Sequence, residues 1–178
     1  MQKEIRLSGS GGQGLILAGI ILAAAAMKAG KNVVQTQSYG PEARGGASKA
    51  EVIISSEEID YPKVVNPDIM LAMTQEACDK YVGDLKENGI LILDSTYVKN
   101  VPNTKAKICS LPITQLAKNE VGKIIVANMV ALGALIGLTE VVSFEKLEEA
   151  VMERIPMGTE KINKKALYLG YEAARKEL

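Results

Sequence analysis

The residues whose types and spacing point to chemistry lie near the start of the chain. Gly9, Gly11 and Gly14 stand at the spacing G-x-G-x-x-G within Gly9-Ser10-Gly11-Gly12-Gln13-Gly14. The strand-like Glu4-Ile5-Arg6-Leu7-Ser8 precedes them, and the apolar, Ala-rich stretch Leu15 to Met27 follows. Strand, glycine turn and helix is the order in which this spacing receives a phosphate. Without side chains at the turn, backbone N–H groups close on the anion, and the helix N-terminus favours its charge. The other use of the same glycines is tight strand-to-helix packing.

The ligand is narrowed by what does not follow. A NAD site places an acidic residue about 20 residues onward, at the end of the second strand, but that region reads Val33-Val34-Gln35-Thr36-Gln37. A nucleoside-triphosphate loop needs Lys-Ser or Lys-Thr after the glycines, and Gly14 is followed by Leu15-Ile16.

A second segment, Ser38-Tyr39-Gly40-Pro41-Glu42-Ala43-Arg44-Gly45-Gly46, is too rich in Gly and Pro for a regular element. Pro41 restricts Gly40, and Gly45-Gly46 permits conformations that other residues avoid, so Arg44 projects from a defined loop. Its guanidinium suits a phosphate or a carboxylate. A surface or subunit ion pair at Arg44 and a packed ring at Tyr39 are the bland alternatives. If the first two strands are adjacent and parallel, both loops open at the carboxyl edge of the sheet, where ligands of open α/β folds bind. Asp94 ends a strand, where it either faces a ligand or caps the turn at Ser95-Thr96. Asn128 reads as a helix-facing polar contact, and Met70, Met73, Met129 and Met152 as core filling rather than metal ligands.

The elements that must position these residues alternate along the chain. Asn32 to Gln37 predicts a second strand, expected to pair in parallel with the first, and Ala50 to Ser55 a third. Ile69 to Met73 and Ile90 to Leu93 read as buried strands flanking a helix over Gln75 to Glu87. Ala106 to Cys109 adds a short strand, Ile113 to Asn119 a helical turn, and Ile124 to Leu138 a buried helix. Ser143 to Arg154, opened by a capping Ser143, and Asn163 to Glu177 make a helical C-terminal region. The expectation is one α/β domain over residues 1–178: a Rossmann-like, three-layer arrangement with a mostly parallel sheet.

Composition excludes much else. The 21 basic and 21 acidic residues cancel, and aromatic content is 4%, which argues against a nucleic-acid role. The absence of His removes the commonest general base and metal ligand. Cys78 and Cys109 are too far apart for a Cys-x-x-Cys site and read as buried free thiols. Neither long apolar stretch reaches the roughly 20 residues that span a bilayer, and the N-terminus lacks an export-signal pattern. No metal site and no membrane association are expected, and the location is expected to be cytoplasmic.

Together, Gly9 to Gly14 and Ser38 to Ser48 resemble the gamma subunit of 2-oxoacid:ferredoxin oxidoreductases, and the resemblance extends over almost the whole chain. The Ser-Tyr-Gly-Pro-Glu form of the second segment is most similar to the 2-oxoglutarate branch. The resemblance implies one component of an enzyme that decarboxylates a 2-oxoacid, transfers the acyl group to coenzyme A and reduces ferredoxin. It implies alpha and beta partner subunits and a ferredoxin-like delta subunit, with thiamine diphosphate, Mg and iron–sulfur clusters on those partners. By the same resemblance Gly9, Ser10, Gly11, Gly12, Gln13, Gly14, Ser38, Tyr39, Arg44, Gly45 and Gly46 support coenzyme A handling, with no catalytic residue in this chain. The isolated chain is expected to be inactive and to be capable of self-association. A stand-alone nucleotide- or flavin-binding module and a purely structural subunit are the competing readings.

Overall fold

Nine consecutive residues, Gln2–Ser10, form the strand β1 that leads into the glycine turn. The computed structural model describes residues 1–38 and 46–178. Tyr39, Arg44 and Gly45 therefore lie outside the described residues. The other strands are β2 (Asn32–Gln37), β3 (Ala47–Ser55), β4 (Ile69–Ala72), β5 (Ile90–Asp94) and β6 (Lys107–Leu111). They form one six-stranded sheet in the order β2-β3-β1-β4-β5-β6.

β1, β4, β5 and β6 pair in parallel, with Ile5 beside Ile69, Ile69 beside Ile90 and Ile90 beside Lys107. The expected parallel pairing of β1 with β2 is corrected. β3 lies between them, antiparallel to both, with Leu7 opposite Ala50 and Gln37 opposite Ala50 on the other side. Only nine residues, 38–46, separate β2 from β3, fewer than the dozen or so that a crossover to a parallel neighbour needs. The sheet is thus mixed, within an α/β fold.

Helices cover both faces unequally. On one face, α1 (Leu15–Lys28), α4 (Ala127–Thr139), α5 (Phe144–Met152) and α6 (Glu160–Arg175) pack on Ile5, Leu7, Val52, Leu71 and Ile92. On the other, α2 (Gln75–Tyr81) packs through Ala77, Cys78 and Tyr81 on Met70, Ala72, Leu91 and Leu93. A short helix α3 (Ile113–Leu116) follows β6. The polar–apolar alternation in β1 therefore assigns residues to two covered faces, since Arg6 and Ser8 are as buried as Ile5 and Leu7.

α4 is buried all round from Ala127 to Gly137 because α6 crosses it at backbone contact. A Cβ added at Gly133 would collide with the Leu167 carbonyl, and one at Gly170 with the Val130 carbonyl. The expected buried helix over Ile124 to Leu138 is corrected at its start. Ile124–Val126 forms a separate 3₁₀ turn, in which Ile124 and Ile125 are 51% and 71% exposed. α5 begins as its sequence indicates, with Ser143 Oγ accepting from the Lys146 N–H at 3.3 Å. No helix among the described residues is long and apolar enough to cross a membrane.

Candidate functional site

The glycine turn is built by its own backbone and one side chain. Gln13 N donates to the Ser10 carbonyl at 3.3 Å, and Ser10 N donates to Gln13 Oε1 at 2.8 Å. Gly14 then enters α1 in the left-handed region, at φ 74°. No side chain caps the first turn of this 14-residue helix, and no acidic residue stands in it. Its leading N–H groups are thus left to water or a ligand, at the positive end of the helix dipole. From 114 residues away, Asn128 Nδ2 donates to the Gly14 carbonyl at 3.2 Å and ties the turn to α4.

The glycines divide by role. A Cβ on Gly9 would collide with Gln13 Oε1, the acceptor that closes the turn, and stand 2.8 Å from Leu15 Cδ1 and 3.0 Å from Met73 Cβ, so Gly9 serves both the turn and strand-to-helix packing. A Cβ on Gly14 would meet Asn128 Nδ2 at 2.5 Å, and the φ of 74° there is also strained for any L side chain. Gly12 shares that left-handed backbone, at φ 86°, and differs only in its space: a Cβ there would meet nothing within 4 Å. The open face of the turn is at Gly12.

Two cavities flank that face. One, of about 420 Å³, is bounded by Ser10, Gly12, the first turn of α1, Ser38 and Ser48. Although β1 and β2 are not neighbours, both oppose β3 and so run the same way, which brings Ser38 and Ser10 to one carboxyl edge. The other, of about 380 Å³, lies between the turn and the segments after β4, β5 and β6, and includes Thr74, Tyr97, Thr114, Ile124 and Ile125. Gly46, at φ 92°, lines neither, and a Cβ on it would stand 3.4 Å from Glu76 Oε1 in α2.

Asp94 is fully buried and acts as a structural acceptor. Its carboxylate receives the N–H groups of Thr96, at 3.0 Å, and Thr114, at 3.2 Å, together with the Thr114 hydroxyl. It caps the turn after β5 and fixes the start of α3. Cys78 and Cys109 are buried free thiols. Burial, helped by the charge of Asp79, pushes the Cys78 thiol up to about 11. Burial and then Glu177 push Cys109 upward against the opposing Lys107. Both thiols stay protonated at neutral pH and are poor nucleophiles and poor cluster ligands.

A buried ionic cluster beneath the sheet was not legible in the sequence. Arg6 Nε donates to Glu51 Oε1 at 2.7 Å, and Arg6 Nη1 pairs with Asp84. Lys49 Nζ adds a contact to Glu51 at 2.8 Å, and the Arg6 guanidinium carbon lies 5.3 Å from the centre of the Tyr81 ring. The Tyr81 hydroxyl donates to the Ala47 carbonyl at 2.9 Å. These groups hold β1, β3 and α2 in register on the face with fewer helices.

Comparison with known proteins decides the family. The pyruvate ferredoxin/flavodoxin oxidoreductase family matches residues 4–173. The chain belongs to that family. Within this oxidoreductase family it is 52% identical, over 98% of its length and 95% of the relative's, to the 2-oxoglutarate synthase subunit KorC of Methanocaldococcus jannaschii. The gamma subunit of a keto/oxoacid ferredoxin oxidoreductase from Geobacter sulfurreducens superimposes with a TM-score of 0.92 at 51% identity, covering 99% of this chain and 98% of that one. A 2-oxoglutarate:ferredoxin oxidoreductase from Magnetococcus marinus, solved with 2-oxoglutarate, coenzyme A and succinyl-CoA bound, superimposes with a TM-score of 0.88 at 26% identity. That match covers 98% of this chain and 31% of the other. The chain is therefore a gamma-type subunit of a 2-oxoacid:ferredoxin oxidoreductase, and other subunits of that enzyme are its partners.

The features that sequence reasoning missed are the Asn128 tether, the β4-to-β6 cavity and the Arg6 cluster. Asn128 is the one polar residue in Ala127–Gly137, a signal that a buried polar side chain there needs a partner. Arg6 inside an otherwise short strand pattern was the corresponding signal for the ion pairs. Nothing local marks the cavity, which is assembled from five separate segments.

Proposed function

We propose that this chain is the gamma subunit of a 2-oxoglutarate:ferredoxin oxidoreductase and presents coenzyme A to an active site formed with its partners. The observation that carries this reading is the open turn at Gly12, joined to the uncapped first turn of α1 and to the Ser10, Ser38 and Ser48 hydroxyl side chains at one sheet edge. Backbone N–H groups on glycine bind phosphate oxygens without a competing side chain, and serine hydroxyls donate to the remainder. Coenzyme A supplies those phosphates and the thiol that accepts the acyl group. Arg44, which follows Ser38 in the chain, adds a guanidinium suited to the same anion.

The chain's own contribution is binding and orientation. It offers no His, and its two thiols are buried and protonated, so proton transfer and electron transfer fall to alpha and beta subunits and a ferredoxin-like delta subunit. Thiamine diphosphate, Mg and the iron–sulfur clusters reside there, where they supply carbanion stabilisation and one-electron chemistry. Similarity to the KorC chain and to the Magnetococcus marinus enzyme supports 2-oxoglutarate as the oxoacid. The 178 residues act as one domain in the cytoplasm, and the isolated chain is inactive and prone to self-association.

A second reading has a specific observation behind it. Gly9 and Gly14 are both explained by packing, as a purely structural subunit would require. The assembled enzyme separates the two readings. Gly12→Asp puts a carboxylate on the open face of the turn without filling occupied space, and Gly12→Asn, which bears the same left-handed strain at φ 86° without the charge, is its control. It is expected to raise the KM for coenzyme A at least tenfold, while 2-oxoglutarate-dependent reduction of the enzyme before coenzyme A is added proceeds normally. An unchanged KM would leave the structural reading standing. Co-purification from the native source, followed by mass spectrometry, should recover thiamine-dependent and iron–sulfur chains; their absence would refute the assignment.

A further inference from the structure

We infer that two copies of this chain join edge to edge, through the free edge of β2 and an open apolar stripe of α1 beside it. β2 ends the sheet, with β3 on one side and no strand on the other. Ser38 N donates to the Lys49 carbonyl at 3.0 Å, directly beyond the Gln37–Ala50 pair. The alternation of an antiparallel ladder therefore turns Val34 and Thr36 toward β3, and Val33 and Gln35 outward. Among the described residues no group meets the outward N–H and carbonyl of Val33 or Gln35. Sheet edges are ordinarily blunted by Lys, Pro, a charge or a bulge. Asn32-Val33-Val34-Gln35-Thr36-Gln37 has no charge and no Pro, and its pairing with β3 is unbroken. The opposite edge strand, β6, begins with Lys107.

The helix above that edge is equally unprotected. α1 holds no polar side chain before Lys28. A helix that is apolar all round belongs where it is covered all round, yet Ile16 and Met27 are 37% and 67% exposed. Ile20 and Ala24 between them are half-buried, and at helical spacing the four fall on one stripe. Ile16 and Ile20 border the same cavity as Ser38, so the stripe lies on the β2 side of the helix. The outer faces of α5 and α6, by contrast, carry exposed Glu145, Glu149, Lys161 and Lys164.

A second copy, turned about a two-fold axis through Val34, satisfies both features at once. Val33 then lies opposite Gln35 of the second copy, and the two exchange both of their N–H and carbonyl groups. Val34 meets Val34, and Asn32 meets Thr36. Lys31 meets Gln37 instead of another lysine, so no like charges are opposed across the joint. α1 lies over β2 and β3, since a Cβ on Gly19 would stand 3.1 Å from Ala50 Cβ and 3.6 Å from Gln35 Nε2. The two α1 helices therefore come to lie two strand spacings apart, about 10 Å, which is the packing distance of helices. They run antiparallel, with Ile16 of one toward Met27 of the other. An unrelated chain would have to carry a bare edge and an apolar helix at that same spacing, whereas a copy carries both by symmetry.

Sedimentation velocity of the full chain is expected to show a dimer. Gln35→Pro removes an outward N–H and spares the bonds to β3, so it should fold by circular dichroism and raise the dimer Kd roughly tenfold or more. Met27→Glu, at a side chain already 67% exposed, should raise it in the same sense. Val34→Cys is expected to give a disulfide-linked dimer on mild oxidation, because facing Cα atoms in a non-hydrogen-bonded pair stand about 4.5 Å apart. The wild-type chain, with Cys78 and Cys109 both buried, should give none. Should Gln35→Pro fail to fold, hydrogen exchange of the wild-type chain carries the same test: the Val33 and Gln35 amides are expected to exchange more slowly as chain concentration rises. A wild-type chain that is monomeric at roughly 100 μM would overturn the inference. So would a dimer that withstands both Gln35→Pro and Met27→Glu, or a Val34→Cys chain that does not crosslink. A monomeric wild-type chain whose Met27→Glu form no longer co-purifies with the enzyme's other subunits would also overturn it, and would give the surface to one of those subunits.

Discussion

Replacing Gly133 by Ala sets helix propensity against packing at the contact between α4 and α6. Propensity alone says that the change should stabilise α4, because Ala is favoured over Gly in a helix interior by about 1 kcal/mol. Packing says the opposite: the new methyl would collide with the Leu167 carbonyl, and the Leu167 carbonyl carbon and Tyr171 N would each stand 2.9 Å away. These are backbone atoms of α6 and cannot rotate aside, so the helices must separate. Overpacking of this kind costs roughly 3 kcal/mol, which leaves a net destabilisation of about 2 kcal/mol after the propensity gain. For a chain of this size that corresponds to a melting temperature lower by roughly 4–8 °C. Differential scanning calorimetry of Gly133→Ala should show it, with Gly83→Ala as a control, since a Cβ on Gly83 meets nothing within 4 Å. The shift should reach the site as well, because α4 carries Asn128 and follows directly from Ile124–Val126. A Gly133→Ala protein that melts at or above the wild-type temperature would refute the backbone-contact reasoning.

Further expectations concern the turn, the cap and the thiols. Gly14→Ala should destabilise by about 1–3 kcal/mol, and Gly14→Ala with Asn128→Ala should lose less than the two single changes summed, because the side-chain clash disappears and only the backbone strain remains; a double-mutant cycle in urea measures this. Asp94→Asn retains one acceptor oxygen for three donors, and should lower the urea midpoint by an amount equivalent to about 1–3 kcal/mol. Cys78 should react with a disulfide reagent at pH 8 only at the rate of global unfolding, so rapid labelling of folded protein would contradict its burial. Because its thiol is raised to about 11 in the folded chain from 9.0, its contribution to stability is fully present below pH 9 and is lost as pH rises towards 11, visible as a midpoint that declines over that window and flattens in Cys78→Ala.

What the sequence by itself determined is local. The strand, turn and helix around Gly9 to Gly14, the strand Asn32–Gln37 to its last residue, the Ser143 cap and the alternation that defines an α/β chain follow from short-range periodicity and capping chemistry. The paired segments Gly9 to Gly14 and Ser38 to Ser48 also carried the family resemblance before any fold was known. Tertiary structure decided what depends on residues distant in the chain. It inserted β3 between β1 and β2, because a backbone edge pairs with whichever strand the connection returns to it. It showed that Arg6 is buried against Glu51 and Asp84, because a strand covered on both faces gives its polar positions no route to water. It also separated the glycines of one turn: Gly9 faces Gln13, Leu15 and Met73, and Gly14 faces Asn128, while Gly12 faces open space. Spacing places a glycine in a turn, but only the packed neighbours determine whether its vacancy belongs to the core or to a ligand.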